Sequence, residues 1–71
     1  MFRNLIAEMS RADLSQKELA KILGVTAGTV NKKFTGKVDF TVSEAFEIAH
    51  ILTAKNGIDL TVDYLFRKNG N

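Results

Sequence analysis

Leu14-Ser15-Gln16-Lys17-Glu18-Leu19-Ala20-Lys21-Ile22-Leu23-Gly24-Val25-Thr26 runs directly into Ala27-Gly28-Thr29-Val30-Asn31-Lys32-Lys33-Phe34-Thr35-Gly36, and this stretch decides the fold. Ser15 and Glu18 have the spacing of a capping box, in which the serine hydroxyl receives a first-turn amide and the glutamate reaches back. Leu14 before the cap and Leu19 after it form the matching hydrophobic staple. Leu19, Ala20 and Leu23 give this helix an inner face, and Gly24 supplies the left-handed exit. Thr26 is the next N-cap, flanked by Val25 and Val30 at staple positions. Val30 and Phe34, one turn apart, face inward, and Gly36 closes the helix.

Outward from that stretch the rest of the chain also reads as helical. Phe2, Leu5, Ile6 and Met9 follow the i, i+3, i+4, i+7 stripe of an amphipathic first helix, and Ser10 to Asp13 is its polar exit. After a loop over Lys37 to Phe40, Thr41-Val42-Ser43-Glu44 is a second capping box. Val42, Ala45, Phe46, Ala49 and Leu52 define the inner stripe of a fourth helix, and Asn56-Gly57 breaks it with turn chemistry. Thr61 caps a short last helix carrying Val62, Leu65 and Phe66. The expectation is an all-α fold of five helices in one domain, residues 1–66, with a frayed tail over 67–71.

Composition bounds the function classes. With 71 residues, 45% of them hydrophobic and no cysteine, the core must come from aliphatic and aromatic side chains. No apolar run approaches the roughly 20 residues that a membrane-spanning helix needs. Met1-Phe2-Arg3-Asn4 lacks a signal-peptide core, so the cytoplasm is the expected compartment. The net charge of +2 is small, but it is unevenly spread. From Ser15 to Lys37, Lys17, Lys21, Lys32, Lys33 and Lys37 stand against Glu18, a local +4. From Val38 to Phe66, five acids (Asp39, Glu44, Glu47, Asp59 and Asp63) stand against Lys55, a local −4. A local basic segment is the electrostatic footprint of phosphate binding.

Two short helices joined by a tight glycine turn make a helix-turn-helix unit. Leu14 through Thr26 closely resembles the signature of the Cro/C1-type (lambda repressor-like, XRE) helix-turn-helix family. The resemblance continues through Val30 and Gly36 to the Ala45–Leu52 helix and the Val62-Asp63-Tyr64-Leu65 ending. It implies a five-helix domain and a regulator of transcription, repressor or Cro-like, that binds double-stranded operator DNA in a sequence-specific way. Two departures stand out. Lys33 occupies a position where the family usually has an apolar residue, with Phe34 taking over the packing. The connection Thr53 to Asp59 is longer than the family's turn, and either extends helix four or forms a loop.

Helical geometry selects the candidate contacts. With Val30 and Phe34 inward, 100° per residue places Gly28, Lys32 and Thr35 outward, flanked by Ala27, Thr29 and Asn31. A recognition helix presents its N-terminal residues to base edges in the major groove, which makes Ala27, Gly28, Asn31 and Lys32 the base-edge candidates. Lys32 suits guanine O6 or N7 or a phosphate, and Asn31 suits adenine. Gly28 is either an allowance for close approach to DNA or a tolerated defect in helix propensity. Gln16 resembles the family's phosphate-anchoring glutamine, at a helix start whose amides favour an anion. Lys17, Thr26, Lys33, Thr35 and Lys37 are the other phosphate candidates.

No cofactor, metal or small-molecule ligand is expected. His50 is the only histidine and has no locally spaced catalytic partner, a structural zinc needs four ligands, and the chain reads as a non-enzyme. The alternative is a helix-turn-helix module that acts on another protein, like an antirepressor or antitoxin. A single recognition helix gives little affinity, so a homodimer on a palindromic operator is expected. Ile51, Ile58, Leu60 and Phe66 are the candidate interface.

Overall fold

The computed structural model describes residues 2–68, which form five helices and no strand. They are α1 (Arg3–Arg11), α2 (Gln16–Leu23), α3 (Ala27–Phe34), α4 (Val42–Asn56) and α5 (Val62–Leu65). Local chemistry sets most of their ends. Ser15 Oγ accepts the Glu18 amide at 3.1 Å while Glu18 Oε1 accepts the Ser15 amide at 3.0 Å. Thr41 and Glu44 repeat this box at the start of α4, and the Thr26 and Thr61 hydroxyls cap α3 and α5. Gly24 ends α2 at φ +73° and Gly57 ends α4 at φ +71°, in the left-handed region that costs glycine nothing.

α2 packs on α3, and α1 packs against α4 and α5. One core joins them, centred on Leu5, Leu19, Val30, Ile48, Leu52 and Leu65, all fully buried. Phe2, Phe40 and Phe66 extend it edge-to-face, the Phe40 and Phe66 ring centroids lying 5.0 Å apart, and Phe40 also meets Phe34 at 5.6 Å. This cluster ties the start of α1 and the end of α5 to the loop that leaves α3.

The inner faces of α1 and α4 differ from the stripes expected from sequence. Ile6 is exposed and Glu8 takes its place at the core. On α4 the buried set is Ala45, Ile48, Ala49 and Leu52, while Val42 and Phe46 are 74% and 63% exposed. Two overlapping apolar stripes compete along this helix, and the one centred on Ile48 faces the core.

The long connection resolves largely into helix, since α4 runs to Asn56. The Thr53 hydroxyl then accepts the Leu60 amide at 3.0 Å and donates to the Leu60 carbonyl at 3.4 Å, folding Gly57 to Leu60 back on the helix. This removes two of the four residues of the expected dimer surface, while Ile58 stays exposed and Ile51 half-buried. Leu60 is buried and Phe66 is half-buried among the aromatics, so both serve the protomer's own core. Of the tail, Arg67 pairs with Asp63 at 2.9 Å, and 69–71 lie outside the described residues.

Candidate nucleic-acid interface

The turn between α2 and α3 is fixed by backbone bonding. The Val25 amide donates to the Ala20 carbonyl at 3.0 Å across Gly24, and Thr26 Oγ1 accepts the Thr29 amide at 3.1 Å. Val30 and Phe34 then anchor α3 in the core, and this sets its rotation. Ala27, Gly28, Asn31, Lys32 and Thr35 are all exposed on the far side, where geometry placed them. Gln16 and Lys17 are exposed in the first turn of α2, and Thr26 and Lys37 are exposed at the two ends of α3.

The hydroxyls on this surface are partly committed. Thr26 Oγ1 lies 3.0 Å from Thr29 Oγ1, and Thr35 Oγ1 donates to the Lys32 carbonyl at 3.2 Å. Glu18, the one acid of the segment, is folded back into its cap. The Ser15 amide and then the Ser15 hydroxyl hold its carboxyl below the ordinary carboxylate range, so it stays ionised at neutral pH beside Lys17.

Gly28 has room around it. A Cβ added there would meet only Thr26 Oγ1, at 3.9 Å. Nothing inside the protomer therefore requires a glycine at this exposed position.

Lys33 is the clear correction. It is 6% exposed, and its Nζ donates to Glu44 Oε1 at 2.8 Å and to the Asp39 carbonyl at 3.2 Å. The ammonium also lies 5.8 Å from the Phe40 ring centroid. A phosphate cannot reach it without dismantling that site, so Lys33 leaves the set of phosphate candidates. Burial pushes the Glu44 carboxyl up, but the bonds from Lys33 and the Thr41 amide outweigh it and hold the carboxyl below its ordinary value. The exposed lysines of the segment are thus Lys17, Lys21, Lys32 and Lys37.

A helix-turn-helix family profile matches residues 7–53, which takes in α2, the turn, α3 and most of α4. The chain belongs to the Cro/C1-type helix-turn-helix family. No curated protein and no solved structure matches it. As a member, this helix-turn-helix protein is a DNA-binding regulator, with α2 and α3 as its motif. Among the described residues no helix is long and apolar enough to cross a membrane. His50, the lone histidine, is exposed on α4.

What sequence reasoning missed at this interface is the Lys33–Glu44 clamp, which joins residues 11 apart across a loop. A lysine at an otherwise apolar inner position, followed by a glutamate already committed to a cap, was the available signal.

Proposed function

We propose that residues 1–66 form a single cytoplasmic, non-enzymatic unit that binds a specific double-stranded operator and regulates transcription as a repressor or Cro-like protein. α3 lies in the major groove, with Ala27, Gly28, Asn31 and Lys32 at base edges. Gln16, Lys17, Thr26, Thr35 and Lys37 hold the phosphates, and two copies occupy a palindromic site. The observation that carries this reading is the division of α3. Val30, Lys33 and Phe34 are buried, while the opposite side carries small and polar side chains that are all exposed.

The test begins with selection of bound duplexes from a random DNA pool. Lys32→Ala should then weaken binding about tenfold and relax the preference at one base position. Lys37→Ala should weaken binding evenly across sequences and lower the salt slope by about one. Recovery of no preferred sequence, or a Lys32→Ala protein with wild-type affinity and salt dependence, would refute this reading.

Gly28→Ala probes the closeness of approach. With open space around the added methyl, the variant should be more stable by about 0.5 kcal/mol, measured by thermal unfolding. Its affinity for the selected duplex should fall, because the methyl stands between backbone and base. Wild-type affinity in Gly28→Ala would mean that the glycine is only a weak spot in the helix.

A further inference from the structure

Asn56-Gly57 ends α4 and supplies its turn. The same pair carries a second chemistry. A glycine amide has no Cβ beside it to block an approach, so its nitrogen can attack the side-chain carbonyl of an asparagine one residue back. A bond forms between the Gly57 nitrogen and Asn56 Cγ, and the Cγ–Nδ2 bond breaks. The Gly57 amide proton is lost to solvent, and Nδ2 takes one up and leaves as ammonia. Water then opens the resulting succinimide ring at either of its carbonyls. One opening gives aspartate, and the other gives isoaspartate, in which the main chain runs through the former side chain.

The fold opposes each part of this reaction. The Gly57 amide, whose proton must leave, donates to the Thr53 carbonyl at 3.0 Å. Asn56 Nδ2, the leaving group, donates to the Glu8 carbonyl at 3.1 Å and to Glu8 Oε1 at 2.9 Å. These bonds hold the half-buried Asn56 amide against α1 and away from the backbone nitrogen it must meet. The ring closes only after the last turn of α4 has given them up.

We propose that Asn56-Gly57 is a spontaneous deamidation site, held inactive while the end of α4 is docked on α1, whose product bars α4 from docking again. The barrier to redocking comes from the same contacts. Where Nδ2 donated, the product places a carboxylate oxygen within hydrogen-bond distance of Glu8, which is 1% exposed. Two carboxylates cannot both stay ionised in so confined a site without opening it. The other side-chain donors described at Glu8, Arg11 Nη1 and Tyr64 Oη, both meet Oε2, so Oε1 exchanges a donor for a like charge. The isoaspartate product also lengthens the main chain by one carbon and takes Gly57 out of register with Thr53. Each opening of the α4 exit thus risks an irreversible step, and the folded lifetime of the chain depends on how often that exit opens.

Peptide mapping by mass after incubation at neutral pH provides the test. Trypsin cuts after Lys55 and after Lys68, which separates Asn56-Gly57 from Asn69-Gly70, a second such pair that also follows a lysine. In denaturant the two pairs should deamidate at comparable rates. In the native protein Asn56 should react at least about tenfold more slowly than in denaturant. Glu8→Ala, studied below its melting temperature, should restore much of the denatured rate. Lys33→Ala, destabilised to a similar extent but with the Asn56 contacts intact, should restore less. Glu8→Gln, which keeps the volume, takes the place of Glu8→Ala if alanine prevents folding.

Asn56→Asp carries one of the two products from the start. It should melt about 10 °C below the wild type, and below Asn56→Ala, which loses the same bonds without adding a charge. Failure of Asn56→Asp to fold where Asn56→Ala folds would be the same result in stronger form. Native and denatured rates that agree, or equal acceleration by the Glu8 and Lys33 variants, would overturn the proposal. So would an Asn56→Asp protein that melts with the wild type or with Asn56→Ala.

Discussion

Glu8→Ala is expected to destabilise the protein by about 3 kcal/mol, although nothing in the local sequence marks this residue as structural. Its side chain is 1% exposed, and its two oxygens collect donors from three directions. Asn56 Nδ2 donates to Oε1 at 2.9 Å, while Tyr64 Oη and Arg11 Nη1 each donate to Oε2 at 3.1 Å. Asn56 also donates to the Glu8 carbonyl, and Asn4 donates to the Tyr64 carbonyl at 2.9 Å. The carboxylate thus joins α1 to the end of α4 and to α5. Alanine would leave a cavity and remove the acceptor for two of these elements at once. In a domain this small the melting temperature should fall by about 12–24 °C. Glu8→Gln keeps the volume and one good acceptor, so its loss should be nearer 1 kcal/mol.

Tyr64 reports on the same site. It is the only tyrosine in a chain without tryptophan, so its phenolate absorbance can be followed cleanly. The hydrogen bond to Glu8, then burial and the Glu8 charge, raise its pKa above the ordinary 10.0. The protonated phenol is the form that the fold favours. Its contribution is complete below pH 10.0 and disappears as the pH climbs through the raised value. In Glu8→Ala the titration should move back toward 10.0. A melting loss of only a few degrees with an unshifted Tyr64 would show that the carboxylate holds nothing together.

Elements defined by neighbours in sequence were legible. Ser15 and Glu18, Thr26 and Thr29, and Gly24 and Gly57 act within one turn, and their geometry is set by the backbone they cap. The outward side of α3 was legible for a related reason, since Val30 and Phe34 leave only one rotation open. Glu8 was not, because the groups that make its burial tolerable lie 48 and 56 residues away. A carboxylate at a core position reads as an error until those donors are in place. The rotation of α4 was misread because Val42 and Phe46 have helical spacing as good as that of Ile48 and Leu52. Which stripe is covered depends on where α1 and α5 lie, and short-range periodicity does not carry that information.

Lys33→Ala should cost about 2–3 kcal/mol, and it connects the stability of the fold to the reading of DNA. The lysine is the only bridge described between a side chain of α3 and one of α4 by hydrogen bond, at 2.8 Å to a Glu44 that is 17% exposed. Removing it strands a partly buried carboxylate whose remaining partner is Thr41 and leaves the Asp39 carbonyl without its donor. An uncharged replacement of both partners behaves differently. Lys33→Met with Glu44→Gln should recover most of the loss, because neither charge then remains buried and the methionine fills the lysine's channel. The pH profile checks the sign. The Glu44 pKa is lowered in the fold, so its contribution is present above its ordinary value of 4.5 and is lost as the pH falls through the lowered value. In Lys33→Ala this acid-side loss should shrink, since much of the lowering comes from the lysine. On DNA, below its melting temperature, Lys33→Ala should bind more weakly with an unchanged salt slope, because no phosphate contact is lost, only the seating of α3. A salt slope lowered as in Lys37→Ala would instead mean that Lys33 leaves Glu44 and meets a phosphate in the complex.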